Sequence, residues 1–491
     1  MANHKFGARI LNNAAILLAT QVITKFLGTV FTIIIARELG VADYGLWVFA
    51  TSLGYVFGMI VAFGFPRLIT REVARDLGRT SDILGRVLGL EVVFSSLAMI
   101  ALAVTVLALH FPPERAWIVS FGGAAMVLNA MLDVTTAFFR AHQRMGLEGA
   151  VRITLSLLNI GLGVAVLFAG RGLPALAVTQ LAAFTLAVFM SFVFIQRRLA
   201  RPSFPTDWRM YRGFLVAAVP FALSGFFAYL YDGTSVLFLY FMEGDLETGL
   251  YSAATNFIRV FGILPASLVA AFLPAMALFS RTSPGEWNAL YRRSLKYLLI
   301  MALPISVGLA LISNDVVSLV LGKAYADSAP ILQMAAWVII PVFLNPGCSN
   351  ALISMNREKS LLKVVGLAMV FNLVANPVLI SRWGAYGAVG ASLLTEGLIL
   401  AILLNILRRA GARLTVPELV VKPVLSVGLM AGAVSLGHRF GLIGMISLGA
   451  VVYVAALFAL RTFDVEELGS LRTWWALACA KMPGRLRQQP R

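Results

Sequence analysis

Two cations stand inside stretches that otherwise read as hydrocarbon-soluble: Lys25 in "ATQVITKFLG" (19–28) and Arg259 in "GLYSAATNFIRVFGILPASL" (249–268). Between Glu247 and Arg281 no other charged side chain appears. A charge at mid-bilayer depth costs several kcal/mol, roughly 2.5–3.5 on insertion scales, unless it faces water, protein or a ligand. Arg259 lies about ten residues into its apolar run, on the order of 15 Å along a helix axis, too deep to snorkel out. Gln21, one turn before Lys25, and Asn256, three residues before Arg259, put a polar group beside each cation. Two buried cations without equal local acid need an anion, and phosphate oxygens accept charge-assisted hydrogen bonds well. The plainer reading of each cation is an interhelical pair with a buried carboxylate.

The acids within apolar runs are few: Asp133, Asp232, Glu396 and, nearer the cytoplasmic end of its helix, Glu91. Asp232, Glu396 and Asp133 are the candidates for proton or sodium coupling, Asp232 following Tyr229 and Tyr231. Each is equally a candidate counter-ion for Lys25 or Arg259. Asn159, Asn372 and Asn376 read first as groups for hydrogen bonds between helices. Cys348 and Cys479 suggest packing, with neither a disulfide framework nor a metal site. No catalytic site and no cofactor are expected beyond a proton or sodium ion. His4, His110, His142 and His438 are scattered near helix ends, and no Walker A pattern occurs.

These residues require a membrane scaffold. With 59% hydrophobic and 13% charged residues and a mean hydropathy of +0.86, the 491-residue chain lies far outside soluble composition. The first apolar stretch, about 10–36, is too long for a signal peptide and reads as a first span. Splitting the apolar runs at charges and Gly/Pro turns predicts an all-α polytopic membrane protein of about 14 transmembrane helices. Their approximate extents are 10–36, 43–66, 83–109, 115–139, 151–170, 173–196, 213–241, 249–280, 294–313, 329–354, 361–380, 384–407, 418–437 and 440–460. "DVVSLVLG" (315–322) is too short to span and reads as an outward interfacial helix.

Basic residues fix the orientation. Counting helix-end residues with the loops they adjoin, one set of alternate segments holds 32 of the 40 Lys and Arg and the other set holds 6. Each segment of the first set outscores every one of the second, which puts both termini in the cytoplasm. The net charge of +17 is therefore a topology signal, and no nucleic-acid partner is expected.

The chain also repeats itself. "YGLWVFATS" (44–52) and "TGLYSAATN" (248–256) each open a helix after an outward loop, 204 residues apart. "AVTQ" ending at Gln180 and "LLTE" ending at Glu396 correspond in helical context, 216 apart. Two pseudo-symmetric six-helix lobes around a central cavity follow, with the site near mid-membrane. The expected domains are 1–206, 207–412, the two added helices in 413–463, and a cytoplasmic tail, 464–491. That tail, with Leu468, Leu471, Trp474, Trp475 and Leu477 among charges, reads as an interfacial amphipathic helix.

"TKFLGTVFTIIIARELGVADYGLWVFATSLGYVFGMIVAFGFPRLITREVARD" (24–76) and "LPISVGLALISNDVVSLVLGKAYADSAPILQMAAWVIIPVFLN" (303–345) resemble polysaccharide-biosynthesis flippases of the Wzx type, in the multidrug/oligosaccharidyl-lipid/polysaccharide exporter superfamily. The resemblance implies two lobes opening alternately inward and outward around a cationic cavity. It implies transport of a polyprenyl-diphosphate-linked oligosaccharide, such as a lipopolysaccharide O-antigen repeat unit, to the outer leaflet of a prokaryotic plasma membrane. Lys25 and Arg259 would then hold the diphosphate, and Asn256, Gln21 and Tyr251 the sugar hydroxyls. The implied partners are that glycan, membrane lipids and polysaccharide-assembly proteins.

Three alternatives stand beside it. In lipid II flippases an Arg-Asp pair follows in the first helix, where Phe31 and Thr32 stand here. Multidrug exporters place acids in the cavity, and helix one here carries a lysine. A membrane-bound polymerase or glycosyltransferase needs a larger extramembrane region than the outward segment holding Asp315, Lys323 and Asp327.

Overall fold

The computed structural model describes residues 2–204, 207–412 and 416–463, without the side chains of 2–12, 14–15, 18, 228–232, 416–418 and 438. Asp232 and the C-terminal tail thus lie outside the described residues. Helix accounts for almost everything described, and no strand occurs among those residues. The helices are α1 (Ala2–Ala62), α2 (Phe65–Arg75), α3 (Thr80–Ala108), α4 (Pro113–Ala141), α5 (Met145–Phe168), α6 (Gly172–Arg198), α7 (Trp208–Phe261) and α8 (Ile263–Thr282). They continue as α9 (Pro284–Leu311), α10 (Ser313–Val320), α11 (Ser328–Ala335), α12 (Ile339–Ser354), α13 (Glu358–Arg409), α14 (Val416–Leu436) and α15 (Gly441–Ala459).

Twelve described stretches are long and apolar enough to cross a bilayer. Large apolar side chains such as Leu107, Leu436 and Ile443 stand 75–85% exposed, which is stable only against lipid. Three stretches are long enough for two crossings of about 20 residues and carry one non-helical residue each: Gly40 (φ 77°), Gly244 (φ 84°) and Gly384 (φ 50°). The sequence reading places loops at these points. A single glycine suffices, because without a Cβ it enters positive φ at no steric cost. Similarly, α2 occupies part of an expected cytoplasmic connection: Phe65, Leu68, Ile69 and Val73 are buried, while Arg67, Arg71, Glu72 and Arg75 keep the other face polar. The short helix expected at 315–322 occurs as α10, two residues earlier.

The described chain divides into two compact units. The first comprises the residues up to Ile263 together with Asn314–Ala335 and Glu358–Ile402. Its core gathers α2 to α6 and the start of α7, with Phe63, Phe65, Phe94 and Phe214 in ring contact. Close approach through small residues fixes both arms of α1. Gly54 and Gly58 lie against Gly123 and Met126 of α4, while Gly149 and Gly163 of α5 receive Thr20 and Phe31. Without a hydrophobic drive between helices in lipid, backbone proximity of this kind supplies the packing energy.

In the same unit, Tyr325 donates to Ala36 O (2.7 Å), Ser328 to Leu250 O (3.1 Å) and Arg37 to Leu319 O (3.4 Å), holding 314–335 onto α1 and α7. Asn372 donates to Thr395 Oγ1 (3.2 Å) across the break at Gly384, the helix-to-helix role expected of it, while Asn376 donates to Asn372 Oδ1 (2.8 Å) one turn away on the same arm.

The second unit comprises Leu264–Ser313, Ala336–Arg357 and the described residues from Leu403 on. Trp287 donates to Ser354 Oγ (2.9 Å), Ser306 to Ala336 O (2.9 Å) and Tyr453 to Ile300 O (2.8 Å). Cys348 is a buried free thiol 3.7 Å from Tyr291 Oη. The boundary at Ile263/Leu264 cuts the expected eighth helix just after the break between α7 and α8.

Candidate functional site

A cavity of about 690 Å³ lies inside the first unit, between the two arms of α1 and α7. Lys25 and Thr32 of the first arm line it, with Tyr44, Trp47, Val48, Thr51, Ser52 and Tyr55 of the second. Across from them stand Ser252, Thr255, Asn256 and Arg259, at the i, i+3, i+4, i+7 spacing that keeps one helix face inward. Each of these four is 204 positions after a lining residue of α1: Val48, Thr51, Ser52 and Tyr55. The two walls are thus the same stripe of the repeated segment, with chemistry that has diverged.

Lys25 and Arg259 share this cavity and repel one another. Neither makes an ion pair among the described residues. Around them are hydroxyls of known direction: Thr32 donates to Gly28 O (2.9 Å), Thr51 to Trp47 O (3.0 Å) and Thr255 to Tyr251 O (2.9 Å). Each hydroxyl oxygen therefore keeps lone pairs toward a ligand donor. Ser252 Oγ is buried with no partner among the described atoms. The lining is cationic, hydroxylated and aromatic together.

Beside Tyr44 the backbones of α1 and α7 approach closely. At Gly45 a Cβ would stand 1.9 Å from Asp245 O and 2.9 Å from Gly249 N, and at Gly249 it would stand 2.1 Å from Val41 O. Only glycine fits either position. Asp245 also pairs with Arg115 (2.8 Å), and Glu247 Oε2 accepts from Ala385 N (3.1 Å).

The remaining residues singled out from sequence fall elsewhere. Gln21 is exposed and does not line the cavity, and Tyr251 is buried beside Ser252 with its ring outside the lining. Asp133 pairs with Arg152 (2.7 Å), which also holds Glu148 (3.0 Å). Glu396 is half-buried on α13 and engaged by neighbours. Glu91 is fully buried, its two oxygens without hydrogen-bond partners among the described atoms. No cluster that could hold a metal occurs among the described residues. Sequence reasoning missed Trp47, Tyr55 and Ser252; for Tyr55 the 204-residue offset was the available signal, since it maps Arg259 back onto that position, and for Ser252 it was the helical spacing from Arg259 and Asn256.

The sequence profile of the family described as "Polysaccharide biosynthesis protein" matches residues 10–280. A curated relative, the probable low-salt glycan biosynthesis flippase Agl15 of Haloferax volcanii, is 18% identical over 89% of this chain and 86% of its own. Among solved structures, the lipid II flippase MurJ in an inward closed conformation aligns with a TM-score of 0.65 at 12% identity, covering 91% of this chain and 98% of its own. An inward-facing multidrug resistance transporter of the MATE family, described as belonging to the MOP superfamily, aligns at 0.63 and 15% identity, over 81% and 98%. These two structures share the fold.

Proposed function

The chain belongs to the polysaccharide biosynthesis protein family, and from that premise we propose that it is a flippase for oligosaccharides carried on a polyprenyl diphosphate. It is a transporter of the multidrug/oligosaccharidyl-lipid/polysaccharide superfamily and not an enzyme. In this reading Lys25 and Arg259 hold the diphosphate by charge-assisted hydrogen bonds. Asn256, Ser252, Thr51 and Thr255 offer donors and acceptors to sugar hydroxyls. The lipid tail stays in the bilayer while the polar head crosses within the cavity. Rocking of two lobes, 1–206 and 207–412, exposes the site alternately to the cytoplasm and to the outside. The charge distribution supports cytoplasmic termini in a plasma membrane and transport outward.

The observation that carries this reading is the pair of cations from two halves of the repeat in one hydroxyl-lined cavity, without a carboxylate pair among the described residues. It also separates the alternatives. A cavity with two cations repels the cationic drugs expected of a multidrug exporter. Phe31, packed into Gly163, has no charge to offer where a lipid II flippase carries its Arg-Asp pair.

The test is transport in proteoliposomes of defined diphosphate-linked glycans by wild type, Lys25→Ala and Arg259→Ala. Both variants should insert normally and lose transport. Normal transport by both would remove the site.

A further inference from the structure

The aromatic side of the cavity has a construction of its own. Trp47 is half-buried, its Nε1–H donates to Gln180 Oε1 (3.4 Å), and Tyr44 stacks on it at 5.9 Å and 25°. Gln180 is 6% exposed, buried on α6. Tyr55, two turns further along the same face, is 46% exposed, and its hydroxyl accepts from Asn129 Nδ2 of α4 (3.4 Å). Both rings thus have their polar tips tied to other helices and stand as oriented surfaces on the cavity wall.

An aromatic face carries the negative end of a quadrupole. It attracts the partly positive C–H face of a pyranose ring, which hydroxyl contacts alone do not read. The anion site and the aromatic wall also occupy different walls, with Arg259 standing where the repeat places Tyr55 on the other side. Trp47 and Tyr55 are separated by about 12 Å along the helix, with Tyr55 at the position equivalent to Arg259, so the wall runs from the level of that cation toward Tyr44 and offers length for more than one ring.

We propose that the Trp47–Tyr55 face of α1 is a glycan-stacking subsite that takes pyranose rings by their C–H faces, with Gln180 as the positioning residue for Trp47. This rests on the flippase reading above and adds a part of the ligand that Lys25 and Arg259 do not contact.

The test is equilibrium binding to the purified full chain of two probes: undecaprenyl diphosphate, and the same lipid carrying a glucose trisaccharide. Glucose serves because the C–H face is common to pyranoses. Wild type should prefer the glycosylated probe, and Trp47→Leu and Tyr55→Leu should each reduce that preference about five- to tenfold with affinity for the bare lipid unchanged. Trp47→Phe, which keeps a ring and guards against a folding artefact, should retain most of it. Gln180→Leu should lose preference, and Gln180→Glu, which still accepts the indole N–H, should restore it. Wild type binding both probes equally, Trp47→Leu keeping its preference, or Trp47→Leu weakening both probes alike would each overturn the subsite and leave the flippase reading standing. Wild type binding neither probe overturns both.

Discussion

Replacing Gly45 or Gly249 by alanine should bias the protein toward an open outer end. The added methyl at Gly45 would meet Asp245 O at 1.9 Å, whereas a Cβ approaches essentially nothing nearer than about 3.0 Å, so the two turns must part by about 1 Å. The obstacle is backbone on both sides, which no rotamer change relieves. Overpacking of this kind costs about 1–3 kcal/mol, and borne by the closed arrangement alone it shifts the equilibrium about 5- to 150-fold. The shift is readable as labelling of Thr255→Cys from outside by a membrane-impermeant thiol reagent, in a background with Cys348 and Cys479 replaced. Gly45→Ala and Gly249→Ala should each raise the labelling rate, and Gly161→Ala, whose methyl would enter open space, should not. Unchanged labelling in both variants, with transport intact, would refute the idea that this seam holds the cavity shut.

Three further outcomes are expected. Lys25→Arg and Arg259→Lys, which keep the charge, should retain measurable transport, while Lys25→Gln and Arg259→Gln should not, as proteoliposome assays would report. Arg152→Leu should destabilise the protein by about 3 kcal/mol, the low end for a broken buried pair because Arg152 and Asp133 reach water; adding Glu148→Gln should recover part of the loss in detergent thermal melts. His142, between α4 and α5, is held below the ordinary imidazole range by burial first and by Arg144 second, and contacts Thr80 Oγ1 (2.9 Å). Its unfolded form therefore binds a proton more readily, so stability should fall as pH drops through about 6.5, and His142→Gln should flatten that slope.

Much of this was legible in the chain because membranes punish exceptions. Lys25 and Arg259 stood out against apolar surroundings, and both line one cavity. The breaks at Gly40, Gly244 and Gly384 were read as loops, because charges such as Arg37, Glu38, Glu243, Asp245 and Arg382 interrupt the apolar runs there, whereas helical backbone continues on both sides of a single glycine. Gln21 was chosen because it stands one turn before Lys25, and Tyr251 came only with what the family resemblance implies. Helical geometry sends them elsewhere, since residues one or four positions away lie on the cavity face only when the stripe's phase allows. Trp47 and Tyr55 passed unnoticed, as aromatic residues in an apolar helix look like packing until their polar tips are seen tied to Gln180 and Asn129.

The repeat explains why the site is where it is, and its divergence explains what it can hold. Segments 44–55 and 248–259 present four equivalent pairs of positions to one space, so any residue tolerated at Val48, Thr51, Ser52 or Tyr55 has a counterpart facing the same volume. Gly45 and Gly249, equivalent positions again, lie at the seam, and there identity is kept because Gly45 must admit the backbone of Asp245 and Gly249, and Gly249 that of Val41. Along the walls identity is kept at Thr51 and Thr255 and lost at the other pairs: Tyr55 answers to Arg259, Ser52 to Asn256 and Val48 to Ser252. A ligand with an anion at one end and sugar rings at the other needs such a split, because two cationic walls would leave the rings without a surface and two aromatic walls would leave the anion unpaired. Exchange at one equivalent pair tests this directly. Placing Arg at 55 and Tyr at 259 keeps the net charge of the cavity while moving its anion site across to the other wall. If the division between walls matters, transport should collapse despite the unchanged composition, and if total charge alone matters, it should persist.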